Sequence, residues 1–353
     1  MDENTEQQGH QDYLPNTSEN AIPNNQESGN NVQFQNRLDL SELQNSVQNI
    51  KAEVGKVIVG QSDMVDMLIA SLLAKGHSLI EGVPGVAKTV TAKLLAKSLS
   101  VGFSRIQFTP DLMPSDILGT SVFNLKNSEF EFKKGPIFSN MILIDEINRS
   151  PAKTQAALFE VMEEQQITID GNKFILDSPF MVLATQNPVE QEGTYRLPEA
   201  QLDRFLFKID VDYPNLEEEI EIISREHALK DKTKIDEINS FLTAEQIIKY
   251  QNLVTLILVE EHLIKYIAQL IVATRSNQFL YLGASPRASI AILKASKAFA
   301  AMSGRDFVTP EDIKRAAIPV LHHRVIVTPE REMEGISSKQ IIKQIIETVE
   351  IPR

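Results

Sequence analysis

The chain has 353 residues, 35 of them basic and 48 acidic, so its formal net charge is −13, and 42% of its residues are hydrophobic. This composition is typical of an ordinary globular protein, and the length predicts two or three domains of about 100–200 residues each. The chain has no cysteine, which excludes disulfide scaffolds, thiolate metal sites and cysteine nucleophiles.

Residues 1–38 are rich in Asn, Gln, Glu and Ser and contain few apolar side chains. Such a segment cannot bury enough surface to offset the entropy lost on ordering, so we predict a disordered polar tail, with a docking arm as the alternative. The segment also lacks the apolar core of a secretory signal. The most apolar stretch elsewhere, Leu253–Val259, is far shorter than the roughly 18–20 residues that span a bilayer. We therefore expect a cytoplasmic protein that does not insert into a membrane.

A helix, followed by alternating strands and helices, is predicted from residue 39 to about Val211. Apolar residues between Leu40 and Val57 recur at helical spacing behind Asp39, a possible helix cap. Runs typical of buried strands then alternate with helical stretches, which predicts an α/β fold with a parallel sheet between helices. The strand runs are Ser78–Ile80, Phe103–Phe108, Met141–Ile144, Met181–Ala184 and Phe207–Val211.

Two segments inside this α/β part have the alternation of a β-hairpin. In Phe123–Phe132, apolar and polar residues alternate on both sides of a turn at 126–129. In Ile167–Phe174 the turn contains Asp170-Gly171, and an Asp-Gly step between alternating runs is a strong hairpin signal. We therefore predict a hairpin at each place.

Only helical patterns follow Pro214, so we expect a domain boundary near Tyr213–Asn215. The predicted domains are an α/β core over 39–213, a helical lid over 214–330 and a helical C-terminal tail over 331–353. The helical runs are Leu216–Leu229, Ala244–Ser276, Ser285–Met302 and Pro310–Leu321.

A phosphate-binding loop is the strongest motif of the chain. Its sequence, Gly82-Val83-Pro84-Gly85-Val86-Ala87-Lys88-Thr89, follows a predicted strand and precedes the helical run Val90–Leu99, which is the context such a loop requires. Its glycines let the backbone wrap around phosphate oxygens, and the helix N-terminus adds positive potential. A plain turn between a strand and a helix is the alternative, which the Lys-Thr ending and both flanks disfavour.

The last three residues of this loop are expected to have separate roles. Lys88 can reach the β- and γ-phosphates, and the Thr89 hydroxyl can bind Mg²⁺. Ala87 departs from the usual pattern, which has its second glycine at that position. A methyl group is acceptable there if the residue is already helical, so we treat Ala87 as a mild deviation.

Two carboxylates follow another buried strand. Asp145 and Glu146 come directly after the apolar run Met141–Ile144, at the strand end where ligands bind in open α/β sheets. Asp145 is expected to hold Mg²⁺, and Glu146 to orient and polarise the attacking water. Hydrolysis needs both roles. The alternative is that the two carboxylates only cap the N-terminus of a helix.

Three further polar residues are candidates for contact with phosphate. Asn187 follows a strand run and can bind the attacking water or the γ-phosphate, although it also precedes Pro188, a common turn position for Asn. Arg204 precedes the last strand run, and Arg287 follows Ser285-Pro286, a typical N-cap and N1 pair. Each arginine can bind a phosphate or form an ordinary surface salt bridge.

Together these motifs resemble those of the AAA+ ATPases, and within them the MoxR family. The resemblance covers roughly Leu40–Val327 and implies a P-loop NTPase fold, an αβα sandwich with a five-stranded parallel sheet followed by a small all-α lid. Members of this family commonly have alanine at the position of Ala87. The matching stretches are Gly82–Thr89 (Walker A), Ile142–Arg149 (Walker B), Ala184–Pro188 (sensor 1), Leu197–Phe205, Ala284–Ala288 and the lid run Ala316–Arg324.

The resemblance also implies roles for single residues. Asn187 corresponds to sensor 1, Arg287 to sensor 2, and Arg204 to the arginine finger that reaches the nucleotide of a neighbouring subunit, with Arg149 and Arg196 as weaker candidates. The catalytic residues implied are Glu146, Lys88, Asn187, Arg204 and Arg287, with Thr89 and Asp145 at Mg²⁺. The residues expected to hold ATP are Val59, Gly60, Gly82, Val83, Pro84, Gly85, Val86, Ala87, Lys88, Thr89 and Val90.

The implied function is ATP hydrolysis in a homo-oligomeric ring, most often a hexamer, that remodels, matures or activates other proteins. Partners with von Willebrand factor A domains are expected from the family. Phe123–Phe132 is similar to its helix-2 insert and Ile167–Phe174 to its pre-sensor-1 hairpin, and both would face the ring pore or its rim. An arginine finger supplied by a neighbour is worth about 10³–10⁵ in rate, so hydrolysis would depend on the ring.

Two other functions stay open, a nucleotide-dependent binding switch with little hydrolysis and a DNA motor. The net charge of −13 and the lack of an obvious basic or aromatic strip weigh against DNA. GTP is disfavoured because no Asn-Lys-x-Asp motif follows the core strands. The pair His322-His323 suggests a metal site, but adjacent residues do not share a helix face and no acidic partner is expected nearby.

Overall fold

A computed structural model describes residues 38–188, 195, 197–229 and 239–352. The predicted polar tail lies outside these residues, except for Leu38, which packs against the hydrophobic core. The helices are α1 Ser41–Gly55, α2 Ser62–Leu73, α3 Lys88–Lys97, α4 Pro114–Leu118, α5 Ala152–Glu164, α6 Glu199–Leu202, α7 Leu216–Leu229, α8 Ala244–Thr255, α9 Glu261–Ser276, α10 Pro286–Met302, α11 Pro310–Leu321, α12 Pro329–Met333 and α13 Ser338–Thr348. The strands are β1 Ser78–Gly82, β2 Leu99–Ser100, β3 Phe103–Gln107, β4 Gly119–Asn124, β5 Glu129–Lys134, β6 Met141–Asp145, β7 Gln166–Ile169, β8 Asn172–Ile175, β9 Met181–Gln186, β10 Phe207–Val211, β11 Leu242–Thr243, β12 Leu280–Leu282 and β13 Ile326–Val327.

Five parallel strands form the central sheet in the order β10-β1-β9-β6-β3. Each of them coincides with a strand predicted from the sequence to within two residues at either end. Since all five run in the same direction, their carboxyl ends meet at one edge of the sheet. The α/β fold with a five-stranded parallel sheet is therefore confirmed.

Apolar side chains cover both faces of this sheet. Leu79 and Ile80 are neighbours in β1 but belong to different hydrophobic clusters, because successive side chains of a strand point to opposite faces. The cluster of Ile80 includes α1, α2, α3 and the helices of the C-terminal half, and the cluster of Leu79 includes α5. All five residues of β6 are buried, which explains why its sequence is almost continuously apolar.

The region after Val211 is mainly helical, with two departures from the prediction. The run predicted over 244–276 consists of two helices, α8 and α9. Between them, Leu258 N donates to Asp306 O and Val308 N donates to Leu258 O, both at 2.9 Å, and this pairing with a distant segment is invisible to a local helical pattern. The expectation of helices alone is also wrong, because β11 pairs with β2 and β12 with β13.

The helices of the C-terminal half pack against the sheet. The buried alanine-rich face of α10 contacts α1 and α2, and α11 contacts β10. Helix α13 buries its isoleucines against α9 and α11. Since the described residues after 38 form one compact unit, the division into a core, a lid and a tail stays a prediction.

Both predicted hairpins are present. Strands β4 and β5 pair from Gly119–Lys134 to Asn124–Glu129. In the second hairpin Ile169 pairs with Asn172, and Asp170 and Gly171 between them have φ values of 50° and 79°, as a two-residue type I′ turn requires. Across the described ranges, none of the helices combines the length and apolarity needed to cross a membrane.

Candidate functional site

The phosphate-binding loop connects β1 to α3 at the carboxyl edge of the sheet. A Cβ at Gly82 would lie 2.6 Å from Val211 O of β10, so glycine is needed there for the close approach of two strands. Gly85 has φ +89° with no atom near its missing side chain, so its requirement is one of backbone conformation. Val86 is buried and anchors the loop in the core.

Ala87 is not in the helical conformation in which its methyl group was expected to be acceptable. Its φ and ψ are 60° and 19°, a left-handed conformation at the residue before α3, and not that of a right-handed helix. For a residue with a Cβ this conformation costs about 1–2 kcal/mol. Ala87 is therefore a strained position at which glycine would be relaxed.

Lys88 lies between the ends of two neighbouring strands. Its Nζ donates to Gly82 O of β1, and also to Gln186 O of β9 at 3.2 Å. The ammonium group is thus held over the loop by backbone carbonyls, at the edge of the sheet where the other predicted site residues end.

Thr89 and Asp145 come together although they are far apart in sequence. Thr89 Oγ1 donates to Asp145 Oδ1 at 3.0 Å, and Thr185 Oγ1 of β9 donates to the same oxygen at 3.2 Å. The other carboxylate oxygen accepts from Arg105 Nε at 2.6 Å. Asp145 is almost fully buried, so its negative charge is balanced by this guanidinium.

The residues at Asp145 fit a magnesium ion. A hydroxyl and a carboxylate are the oxygen ligands that Mg²⁺ prefers, and Mg²⁺ usually takes only one or two protein ligands together with substrate phosphates and water. Among the described residues there is no group of three or more His, Cys, Asp or Glu side chains that could hold a metal ion. A metal at this site would therefore be held by Thr89 and Asp145 together with a phosphate.

Glu146 has its carboxylate oriented by two neighbours. Its Oε2 accepts from Gln107 Nε2 at 2.8 Å and lies 3.1 Å from Arg149 Nε. Its backbone N donates to Thr185 Oγ1 at 3.1 Å, and its φ of 59° turns the chain sharply at the end of β6. Arg149, a weaker candidate for reaching a neighbouring subunit, is thus next to the Glu146 of its own chain.

Most of the predicted nucleotide-binding residues line one cavity of about 370 Å³. Val59 and Gly60 do not line this cavity, so their contact with adenine stays a prediction. Gly60 instead lies against α7, where a Cβ would be 2.6 Å from the Glu218 carboxyl group. Gly82, Val83 and Val86 belong to the loop but do not line the cavity. The lining residues are Pro84, Gly85, Ala87, Lys88, Thr89, Val90, Arg105, Gln107, Asp145, Glu146, Thr185, Gln186 and Asn187.

Arg204 and Arg287 form a separate cluster at the opposite edge of the sheet. Both line a second cavity of about 250 Å³ that includes Gly76 and His77, the residues just before β1. Arg204 Nη1 donates to Glu163 Oε2 at 3.2 Å, and Arg287 Nη2 donates to Glu163 Oε1 at 2.9 Å. The length of β1, about 16 Å at 3.3 Å per residue, separates these arginines from the phosphate-binding loop of their own chain. Arg196 lies outside the described residues.

His322 and His323 have a packing role. Their Nε2 atoms donate to Lys208 O at 2.9 Å and to Phe205 O at 3.2 Å. Burial lowers the pKa of His322 to about 4 and that of His323 well below its ordinary value, so both rings are neutral at pH 7. The expectation of no acidic neighbour was wrong, since Asp210 Oδ2 lies 3.8 Å from His322 Nδ1.

The sequence interpretation missed several residues of both clusters. Arg105 and Gln107 alternate at the carboxyl end of β3, and polar residues at that place in a buried strand are a usable signal. Their partners depend on the pairing of β3 with β6, in which Gln107 is opposite Asp145. Glu163, at the end of α5, had no signal in the sequence.

Comparison with known proteins agrees with this geometry. Residues 77–207 match the model of the ATPase family associated with various cellular activities, and 272–345 match the AAA lid domain. The chain is 46% identical to YeaC of Bacillus subtilis (strain 168), an uncharacterized protein, over 85% of this chain and 92% of that protein. It is 43% identical to chaperone MoxR1 of Mycobacterium tuberculosis, over 85% of this chain and 81% of that protein. A crystal structure of a candidate ATPase from Cytophaga hutchinsonii is 45% identical and superimposes with a TM-score of 0.82, covering 89% of this chain and 97% of the other.

Proposed function

Because the chain belongs to the MoxR family of AAA+ ATPases, we propose that it hydrolyses ATP with Mg²⁺ in a ring and uses that cycle to remodel other proteins. The observation that carries the hydrolytic part is the convergence of Lys88, Thr89, Asp145, Glu146 and Asn187 around one cavity at the carboxyl edge of the sheet. We also propose a cytoplasmic location, where ATP is available to such a protein.

Each residue of this cavity has a chemical task in the proposed reaction. When bound, Mg²⁺ neutralises charge that develops on the phosphate oxygens. Lys88 contributes a positive charge at the end of the loop, and Asn187, which is buried, offers an amide to the phosphate or the attacking water. The Glu146 carboxylate, oriented by Gln107 and Arg149, accepts the proton of that water.

The ring is supported by the position of the arginines. Arg204 and Arg287 lie beside the residues that precede β1, so the length of a strand separates them from the phosphate-binding loop of their own chain. In a ring of identical subunits that is joined head to tail, the edge that carries these arginines faces a different edge of the next subunit. We propose that both guanidinium groups serve the nucleotide of the neighbour, and that the ring is a hexamer.

Contact with client proteins is proposed for the first hairpin. Leu125 and Phe130 at its tip are 85% and 75% exposed, and the exposed ring of Phe123 lies 5.2 Å from that of Phe130. Contiguous exposed apolar side chains are typical of protein interaction sites. The relative from Mycobacterium tuberculosis is named a chaperone. We propose that the clients include proteins or complexes with von Willebrand factor A domains.

The test of hydrolysis compares Glu146→Gln with Lys88→Ala. Glu146→Gln is expected to bind a fluorescent ATP analogue with unchanged affinity and to release no phosphate, whereas Lys88→Ala is expected to lose binding. Phosphate release by the unsubstituted protein that equals the Glu146→Gln background at every protein concentration would instead favour a binding switch.

The test of client binding uses the same variant as a trap. Glu146→Gln in the presence of ATP is expected to retain a client on the ring. The matched control carries Leu125→Ser and Phe130→Ser in addition. A protein that is retained by both forms equally does not bind through the hairpin, and that result would contradict its proposed role.

A further inference from the structure

Arg324, which follows α11, is a buried residue bound to the segment that carries Arg204. Its Nε donates to Asp203 Oδ1 at 2.6 Å. Its two terminal nitrogens donate to the backbone oxygens of Asp203 at 3.0 Å, Phe205 at 2.6 Å and Leu206 at 3.2 Å. A single side chain of the C-terminal half thus binds the backbone on both sides of Arg204.

The charge of Arg324 makes this contact hard to break. Only 3% of its side chain is exposed, and a guanidinium cannot give up its proton inside a protein. Leaving such a charge buried without its partner is strongly unfavourable. The planar guanidinium also holds its donors in one fixed fork, a geometry that the compact ammonium of a lysine does not reproduce. The Asp203–Leu206 segment and the end of α11 are therefore held in one arrangement.

Asp203 connects this segment to a second helix as well. Its Oδ2 accepts from Ser285 Oγ at 3.1 Å, just before α10, and lies 3.9 Å from Arg287 Nη1. The two oxygens of one carboxylate thus contact residues at the end of α11 and at the start of α10. Any displacement of these helices relative to the sheet would move the backbone from which Arg204 projects.

We infer that Arg324 is a positioning residue for Arg204, and that through Asp203 it couples the placement of the C-terminal helices in one subunit to hydrolysis in the next. This inference rests on the proposed function, in which Arg204 serves the nucleotide of a neighbouring subunit. It goes further, because it assigns Arg324 to the neighbour's reaction and not to the nucleotide site of its own chain.

The experiment uses mixtures of full-length variants whose defects lie on opposite sides of an interface. Lys88→Ala subunits have no working nucleotide site but keep Arg204. Arg204→Ala subunits keep a working nucleotide site but have no arginine to offer the neighbouring subunit. Random mixing of equal amounts completes about a quarter of the interfaces of a ring, so this reference mixture is expected to regain about that share of turnover. If it regains none, the proposed function in trans fails, whatever Arg324 does.

Arg324→Lys is then mixed with each of the two reference variants. Alone, it is expected to bind ATP normally and to lose about 10²-fold in kcat, the effect of a small misplacement of a catalytic group, without a change in KM. Mixed with Lys88→Ala it is expected to regain turnover, because its own site is intact. Mixed with Arg204→Ala it is expected to regain none, because neither subunit presents a working arginine.

The opposite pattern would overturn the inference. If Arg324 served its own nucleotide site, Arg324→Lys would be rescued by Arg204→Ala subunits and not by Lys88→Ala subunits. Full turnover of Arg324→Lys alone, or failure in both mixtures while light scattering shows intact rings, would also contradict it. If Arg324→Lys does not fold, Arg324→Gln is used in the same two mixtures with the same expectations, because it removes the buried charge and leaves Asp203 with its contacts to Ser285 and Arg287.

Arg315→Lys is the matched control. Arg315 lies in α11, the helix that Arg324 follows, and likewise binds a carboxylate of the α/β part, with Nη2 2.7 Å from Asp66 Oδ2, but it has no hydrogen bond to the Asp203–Leu206 segment. It is expected to keep its turnover. A loss equal to that of Arg324→Lys would show that any weakened contact of α11 has the same effect, and would contradict a specific role of Arg324.

Discussion

Thr89 Oγ1 donates a hydrogen bond to Asp145 Oδ1 at 3.0 Å, which joins the start of α3 to the end of β6. Thr89 follows β1 and Asp145 ends β6, and these strands are not neighbours in the sheet, since β9 lies between them. Thr185 of β9 donates to the same oxygen and so bridges the gap. The two halves of the proposed phosphate site are therefore joined by direct side-chain contacts.

This contact predicts a specific effect of Thr89→Val. Valine has nearly the shape of threonine but no hydroxyl, so it removes an oxygen ligand from the proposed Mg²⁺ site and leaves the packing intact. We expect the Mg²⁺ concentration that half-activates turnover to rise about 10–100-fold, the range seen when groups that support a metal site are lost. The measurement is a Mg²⁺ titration of phosphate release at saturating ATP.

Thr89→Ser is the control for this variant, because it keeps the hydroxyl and loses only a methyl group. It should require Mg²⁺ at close to the original concentration. Equal Mg²⁺ requirements for the valine and serine variants would mean that the Thr89 hydroxyl does not bind the ion.

The central sheet could be predicted because its signals are local. The run at 141–144 is continuously apolar and the run at 78–80 is apolar apart from Ser78, as is typical of strands buried on both faces, and each is followed by residues with recognisable chemistry. The break between α8 and α9 was not predictable in this way, because it depends on the pairing of Leu258 with residues on either side of Phe307. A helical pattern carries no information about so distant a partner.

Site residues could be predicted where their position relative to a single strand was enough to place them. Contacts between residues of different strands could not be predicted. Lys88 follows β1 and Asp145 ends β6, so a parallel sheet brings both to the carboxyl edge. Arg204 precedes its strand, and that order already indicates the opposite edge, although the sequence interpretation did not use it. The contacts of Arg105 and Gln107 depend on strand order and register, which no local pattern fixes.

The shared contact of Arg204 and Arg287 with Glu163 predicts that both arginines act in trans. If so, a productive interface needs both from the same subunit, and a mixture of Arg204→Ala with Arg287→Ala subunits contains no such interface. We expect no recovery of turnover in this mixture. The measurement is phosphate release against the unmixed variants at equal total protein.

A cis role for Arg287 gives the opposite outcome. Arg204→Ala subunits would then have a working nucleotide site and Arg287→Ala subunits a working Arg204, so about a quarter of the interfaces would be complete after random mixing. Recovery to that level would show that Arg287 serves its own nucleotide.

The strain at Ala87 predicts that Ala87→Gly stabilises the protein. Glycine removes the cost of about 1–2 kcal/mol for a left-handed residue with a Cβ. It also makes the unfolded chain more flexible, which destabilises the folded protein by about 0.4–1 kcal/mol. We expect the free energy of unfolding to rise by up to about 1.6 kcal/mol, measured by urea titration without nucleotide. ATP binding should be retained.

Gly171→Ala tests the same backbone effect away from the site. Gly171 has φ +79° and no atom within 4 Å of the place that a Cβ would occupy, so alanine there should lower the free energy of unfolding by about 1 kcal/mol without changing turnover. If Ala87→Gly were destabilising while Gly171→Ala behaved as expected, the methyl group of Ala87 would have a packing role that outweighs its strain.

His77 predicts that the protein loses stability in mild acid. Its Nδ1 accepts from Val182 N at 3.0 Å and its Nε2 donates to Met162 O at 3.2 Å, so the buried ring must be neutral, and burial lowers its pKa from 6.5 to about 4. Between these two pH values the unfolded chain binds the proton and the folded chain does not, so stability is complete above pH 6.5 and falls as the pH approaches 4. The contribution of this one residue is about 3 kcal/mol at 1.36 kcal/mol per pKa unit.

His77→Gln separates this residue from the other buried histidines. Glutamine can accept from Val182 N and donate to Met162 O but does not titrate, so the fall in the free energy of unfolding between pH 6.5 and 4 should become shallower, while His322 and His323 keep it from vanishing. Phe159→Leu, which lies in the same hydrophobic cluster and has no titrating group, should lower stability by roughly 1–3 kcal/mol at every pH. If the free energy of unfolding falls as steeply with pH in His77→Gln as in the unsubstituted protein, His77 does not resist protonation. The acid sensitivity would then come from other groups.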